Sequence, residues 1–206
     1  MVPRAVLRVT LASGSPQRRE ILEKLGLEFD VVVPGVEELT SGDPEKLVRL
    51  NALRKAGALW EGGMPARANN VLGMPPSPPD RVVIACDTDV VLDGEVLGKP
   101  ADEAEARAYL DRMSGRAHTV MSGLVVVADG EERVGIEKTT VVFKELSDAE
   151  KERYVAFGEW EGRSGGYAIQ TLGSSLVARV EGSVSNVVGL PVGLLAELAP
   201  ELFERG

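Results

Sequence analysis

The sequence predicts an α/β fold in which helices flank a mixed β-sheet, and three observations carry that prediction. Short runs of β-branched and apolar residues recur at strand length. Capped helical patterns lie between them, as parallel strand connections require. Two Asp-Gly dipeptides, Asp93-Gly94 and Asp129-Gly130, each separate strand-like runs and add antiparallel hairpins.

The strand-like runs are 6–11, 29–33, 82–86, 124–128, 139–143 and 176–180. After the first comes a junction, SGSPQRR, that opens a helical stretch over 20–25. Ser15 reads as its N-cap, with Pro16 at the first helical position. Asp43-Pro44 repeats that signal and opens a helix to about Trp60. Asp102 starts a third helix, with Ala106, Tyr109, Leu110 and Met113 on one face and Gly115 just past its end. Ser147 and Glu150 form a capping box for a helix to about Phe157. A short helix follows Pro191. The stretch 61–80 holds five of the chain's twelve prolines and no periodicity, so it reads as a surface loop within one domain spanning 1–206.

Composition narrows function. The net charge is −9, which disfavours a nucleic-acid polymer as partner but leaves room for a small phosphorylated ligand in a locally basic cleft. A single cysteine, Cys86, and a single histidine, His118, exclude an internal disulfide, a cysteine-based zinc site and a histidine-rich metal site. No apolar run has the length of a membrane span and the N-terminus lacks a signal-peptide pattern, so a cytoplasmic location is expected.

Several residues point to chemistry. In SGSPQRR, Ser15 and the first amides of the helix make an anion site. Helical spacing places Arg18 with Leu22 and Leu25 at the edge of the core, whereas Arg19 lies one turn before Glu23, in position for an exposed pair. The same residues also read as a plain cap with two solvated arginines, and both readings stand. In IACDTDVVLDGEVLGKP, the apolar strand is expected to end at Asp87-Thr88-Asp89, where open α/β sheets collect ligands. Asp87 is there either a turn-forming residue or a carboxylate that holds a cation or polarises water. Lys99 follows a hairpin that can return it to the same place; the stretch 94–100 is one residue too short for a P-loop and lacks its Ser or Thr. Glu38, after the second strand, is either solvated or a partner of Asp87 in a metal site. Lys55 sits on the second helix, where an exposed lysine is the plain expectation. Cys86 reads as a small core residue and His118 as a packed or hydrogen-bonded one. GGYAIQTLGSSL, glycine-rich around Tyr167 and Gln170, suits a base or sugar.

Taken together, LASGSPQRREIL, CDTDVVLDGEVLGKP, SGRAHTVMSG and GGYAIQTLGSSLVARVEGSVSNVVGLP resemble, in order and spacing, the Maf family of nucleoside triphosphate pyrophosphatases over nearly the whole chain. The resemblance implies an elongated α/β fold, like that of inosine triphosphatases, with a cleft between two lobes. It implies metal-dependent attack of water on the α-phosphorus, magnesium or manganese being the cations expected. Carried over residue by residue, Ser13, Arg18 and Lys55 bind phosphates beside Ser15. Glu38 and Asp87 hold the metal or the water, and Lys99 neutralises charge. Gln170 resembles the branch that prefers thymidine and uridine triphosphates. Two departures bear on substrate preference: Gln17 stands where much of the family has an arginine, and Thr171 replaces a glycine. The 61–80 stretch is also longer than the family's usual loop. The family has further been linked to cell division and septum formation, so a nucleotide-binding regulator without turnover is the alternative function, and homodimerisation stays open.

Overall fold

The computed structural model describes residues 7–59 and 81–204. The chain runs β1 (Arg8–Ala12), α1 (Pro16–Lys24), β2 (Phe29–Val32), α2 (Pro44–Ala58), β3 (Arg81–Leu92), β4 (Glu95–Leu97) and α3 (Glu103–Met113). It continues through β5 (Ala117–Ala128), β6 (Glu131–Phe143), α4 (Asp148–Phe157), β7 (Val177–Glu181), α5 (Val184–Val188) and α6 (Val192–Leu198). Three short 3-10 segments, Ser164–Gly166, Thr171–Leu176 and Pro200–Leu202, fill the C-terminal part. The fold is α/β, a seven-stranded mixed sheet flanked by helices.

Local chemistry sets the element ends. Ser15, Asp43, Asp102 and Ser147 each accept a backbone N–H at a helix N-terminus, and Ser147 with Glu150 completes the capping box. At the other end, α4 stops at Gly158, whose backbone is left-handed. Asp93-Gly94 and Asp129-Gly130 all have positive φ, the geometry of a tight hairpin that matches strand twist. The 61–80 stretch and Trp60 lie outside the described residues.

The sheet order is β2-β1-β3-β5-β6-β7, with β4 also paired to β3. β1 runs parallel to β2 and β3, and every other pairing is antiparallel. Here the structure corrects the sequence reading. β3 does not end at Asp87; it continues to Leu92, paired with β5 from Val82↔Ala128 to Val91↔Thr119. Backbone pairing is indifferent to side-chain polarity, so the polar triplet 87–89 ends the apolar pattern without ending the strand. β5 and β6 likewise begin well before their apolar stretches, at Ala117 and Glu131.

The opposite edge of β3 is broken. β1 covers it from Arg8↔Arg81 to Leu11↔Ile84, and β4 covers it only from Val90 to Leu92. Residues 85–89 therefore face a gap in the sheet. The core divides at the same level. Val82, Ile84 and Cys86 pack with Val9, Leu11, Leu22 and Leu195 in one cluster. Val90 and Leu92 pack with Leu110, Phe143 and Tyr154 in another. Thr88, on the same face of β3, stands between them. On the other face, Val83 and Ala85 meet Ala52, Leu53 and Ala56 of α2.

α2 lies unusually close to the sheet. A Cβ on Gly123, the residue opposite Asp87, would stand 2.4 Å from the Val48 carbonyl oxygen and 2.8 Å from the Arg49 nitrogen. The contact is to helix backbone, which cannot rotate away, so a methyl group must push α2 off the sheet. Gly123→Ala is expected to destabilise the fold by about 1–3 kcal/mol, read by urea denaturation. Wild-type stability in that variant would show that α2 can shift freely.

Candidate active site

Where the sheet edge is open, a cleft of about 690 Å³ crosses the molecule. Ser13 and Ser15 reach it from the loop after β1, and Arg18 from the first turn of α1. Glu38 comes from the segment after β2, Lys55 from α2 and Asp87 from the middle of β3. Lys99 follows β4, and Gln170 stands on the turn before the second 3-10 segment. All eight residues singled out in the sequence line this one cleft.

Its acidic wall is held in place by α2. Along that helix Val48, Asn51, Ala52 and Lys55 share the buried face at spacings of three and four residues. Asn51 and Lys55 thus interrupt an apolar stripe, the one sequence signal that marks both as more than surface residues. Lys55 is only 6% exposed, against the expectation of a solvated lysine, because its stem is covered by the core while its head meets carboxylates. Its ammonium donates to Asp87 Oδ1 at 2.5 Å and to Glu38 Oε1 at 2.7 Å, with the Cys86 carbonyl at 3.5 Å. Asn51 accepts the Leu39 N–H and donates both to the Leu39 carbonyl and to Asp87 Oδ2, each at 2.8 or 2.9 Å. One amide so fixes Asp87 and, through Leu39, the neighbouring Glu38. Nothing else in the sequence announced this clamp.

Asp89 joins the group because residues two apart on a strand share a face. Burial, followed by the charges of Asp87 and Glu38, pushes its pKa up to about 6, against the opposing pull of Ser164 and Lys55. Glu38 moves the other way. Burial alone would raise it, but the hydrogen bond and charge of Lys55, with Lys99 and Arg18 further off, hold it below the usual carboxylate range.

The basic wall is organised by Arg18. Its Nε donates to the Gly189 carbonyl at 2.8 Å, Nη1 to Ser13 Oγ at 3.0 Å and Nη2 to Thr88 Oγ1 at 3.1 Å. Thr88 is tied in turn to Ser122 Oγ at 2.7 Å. Arg18 is buried and its neighbour is not: Arg19 pairs with Glu23 on the outer face of α1 at 2.8 Å. Lys99 is exposed and makes no ion pair among the described residues.

On the remaining side, Tyr154 Oη accepts the Ala168 N–H at 3.1 Å and Glu159 accepts the Gly173 N–H at 2.8 Å. Gly173 passes so close to the Ala168 carbonyl that a Cβ would stand 1.8 Å from that oxygen. The turn between them carries Gln170, whose amide has no hydrogen bond among the described residues. Thr171 takes a φ of +44°, a conformation that costs a β-branched residue strain. Tyr167 backs this turn and shares a 2.7 Å hydrogen bond with His118 Nε2, the two rings meeting edge to face with Phe143. Cys86 is buried in the core below.

The donor set suits a hard cation. Glu38, Asp87 and Asp89 offer only oxygens, and added positive charge would oppose the burial and neighbouring carboxylate charge that raise Asp89. Among the described residues no three side chains of His, Cys, Asp or Glu form a complete ligand cluster. One or two carboxylates, supplemented by water and ligand oxygens, is how magnesium is ordinarily held.

An α/β fold with a gap in its sheet, carboxylates on one wall of that gap and guanidinium on the other defines an α/β protein with a polar cleft whose chemistry suits a phosphorylated ligand. The chain belongs to the Maf-like protein family, whose pattern it matches over residues 8–202. Among similar proteins, one from Deinococcus radiodurans, named dTTP/UTP pyrophosphatase, is 44% identical over 93% of this chain and 91% of its own. Proteins of the same name from Pelotomaculum thermopropionicum (92% of this chain, 94% of that one) and Symbiobacterium thermophilum (97% and 98%) are 42% and 41% identical. The Staphylococcus aureus Ham1 protein aligns with a TM-score of 0.41 at 17% identity, over 66% of this chain and 71% of that one, a likeness that bears on nothing further. No helix among the described residues is long and apolar enough to cross a membrane.

The His118 pair gives the site's surroundings a pH dependence. Burial holds the His118 pKa down at about 4, against an ordinary 6.5. Between those values the unfolded chain binds a proton that the native state refuses, so stability falls as the pH drops through that window. The contribution lost by pH 4 is about 3 kcal/mol, and nothing is lost above 6.5. Urea titrations at stepped pH should show that decline in the wild type and a shallower one in His118→Gln. Parallel declines in the two proteins would contradict a buried neutral imidazole.

Proposed function

We propose that this protein hydrolyses the α–β phosphoanhydride of nucleoside triphosphates, giving the monophosphate and pyrophosphate, with thymidine and uridine triphosphates preferred. The observation that carries the reading is the meeting of Glu38, Asp87 and Asp89 with Arg18, Lys99 and the unengaged Gln170 amide in one cleft. The names of the relatives support it from outside the structure.

In this reading the chain mostly positions and neutralises, which is what phosphoryl chemistry demands. Ser13, Ser15 and Arg18 receive phosphate oxygens at the start of α1. Lys99 meets developing charge from the opposite wall. Lys55, its N–H groups directed at protein oxygens, holds Asp87 and Glu38 in place and keeps Glu38 ionised, and meets phosphate from behind them. Glu38 and Asp87 would hold the divalent cation, which when bound lowers the pKa of coordinated water and screens phosphate charge. Asp89, beside Asp87 on the same strand face and with its pKa raised to about 6, is suited to take the proton from the attacking water. A cytoplasmic location and a single domain across 1–206 form part of the proposal. A regulator that binds without turnover would gain nothing from a buried Asp87 fixed by both Lys55 and Asn51 beside a second strand carboxylate, Asp89.

A side-chain amide offers a donor and an acceptor side by side, matching the imide N–H and adjacent carbonyl of uracil or thymine. Pyrophosphate release measured across the common nucleoside triphosphates with magnesium should favour thymidine and uridine triphosphates. Chelation of the metal should abolish turnover, and Gln170→Ala should erase the base preference more than the rate. Preference for a purine triphosphate would overturn the base assignment; no release from any triphosphate would overturn the reaction.

Asp87→Asn keeps the Asn51 contact but removes the charge that Lys55 and the cation both require. Turnover should fall by roughly two orders of magnitude or more. Near-normal steady-state rates in that variant, with metal present, would remove Asp87 from the machinery.

A further inference from the structure

Arg163 has no part in the sequence reading or in the reaction outlined above, yet it lines the cleft beside Ser164. Its stem is fixed: Nε donates to the Glu159 carbonyl at 2.8 Å. The turn that carries it is bound to the Lys99 wall. Gly165 N–H donates to the Gly98 carbonyl at 2.9 Å, and Val90 N–H donates to Ser164 Oγ at 3.1 Å. The guanidinium points across the mouth toward α1. With the Gln17 amide oriented to satisfy both its ends, Gln17 Oε1 accepts from Arg163 Nη1 and Nη2 at 3.0 and 3.2 Å, while its nitrogen donates to Ser15 Oγ at 2.9 Å.

This is a weak resting partner for a guanidinium. Both terminal nitrogens share one neutral oxygen, the charge stays uncompensated, and no carboxylate among the described residues pairs with it. Arg18, by contrast, has each of its three nitrogens on a separate buried or half-buried acceptor. A phosphoryl group offers Arg163 what Gln17 does not: two charged oxygens at fork spacing. Exchanging one for the other needs only a side-chain rotation, because the stem and the turn are already anchored.

We propose that Arg163 is a substrate-contacting residue that leaves Gln17 to bind the β- and γ-phosphoryl groups, drawing the Lys99 wall and the α1 wall together over the polyphosphate. Gln17 is its resting partner, holding the guanidinium at the mouth without neutralising it. An acidic side chain at position 17 would trap it there. The inference rests on the triphosphate reading above, and it adds a contact that the reading does not require.

The test measures kcat and KM for thymidine triphosphate in the wild type, Arg163→Ala, Arg163→Lys, Gln17→Glu and Arg19→Ala. It also measures binding of thymidine monophosphate and of the non-hydrolysable α,β-methylene triphosphate by calorimetry. Arg163→Ala should weaken the methylene triphosphate about tenfold or more and raise KM, the loss expected for a charge-assisted contact. Monophosphate binding should stay within about twofold, because that ligand lacks the groups Arg163 grips. Gln17→Glu should imitate the loss, Arg163→Lys should recover part of it, and Arg19→Ala, on the outer face, should match the wild type. Equal weakening of mono- and triphosphate in Arg163→Ala would reduce Arg163 to a structural role and overturn the proposal. So would wild-type triphosphate binding in both Arg163→Ala and Gln17→Glu. Should Arg163→Ala not fold, Gln17→Glu and Arg163→Lys decide alone. Absence of turnover and of triphosphate binding in the wild type would instead overturn the pyrophosphatase reading itself.

Discussion

Ten consecutive residue pairs, Val82↔Ala128 through Val91↔Thr119, bind β3 to β5, and the rest of the molecule hangs on that ladder. Because β5 covers one edge of β3 throughout, the other edge can be left open at residues 85–89 without the strand losing its direction. The loop after β1, the segment after β4 and the turn at Ser164 all enter through that opening. An antiparallel ladder of this length joins the core clusters on either side of the opening, so it also sets the distance between the walls of the cleft. The acidic residues then need no loop of their own; they project from a strand whose backbone is already fixed.

A second constraint comes from α2 on the far face. Gly123 lets helix backbone settle onto the sheet beside Asp87, and the helical repeat from Val48 carries Asn51 and Lys55 to that carboxylate. Removing one partner from such a buried charged pair would leave the other uncompensated, which is costly. The site is therefore over-determined: Asp87 is held by a lysine and an amide, and the same amide holds the backbone next to Glu38. Asp89, buried on the same strand face, has its pKa pushed up to about 6, first by burial and then by the neighbouring charge of Asp87.

Much of the fold was legible before any coordinates. Ser15, Asp43, Asp102 and Ser147 announced helix starts through their own side chains, and the two Asp-Gly turns announced hairpins, because such signals act within a few residues. Strand ends were less legible. The apolar alternation failed at Asp87 although pairing did not, since a strand facing a cleft needs backbone partners but no apolar side chain. The Val184–Val188 helix and the 3-10 segments carry no periodicity long enough to read.

The sequence by itself determined the class of fold, the caps and turns, and, through its resemblance to a family, eight residues for one cleft. Tertiary structure alone decided how those residues stand to one another. It buried Lys55 between Asp87 and Glu38, made Asn51 their clamp, turned Arg19 outward, and set Arg163 across the mouth against Gln17. The physical reason is range. Caps, turns and helical stripes are written in neighbours three or four positions apart. The contacts of the site join residues separated by 32 positions, as in Lys55–Asp87, or by 171, as in Arg18–Gly189, and only the packed sheet brings those together.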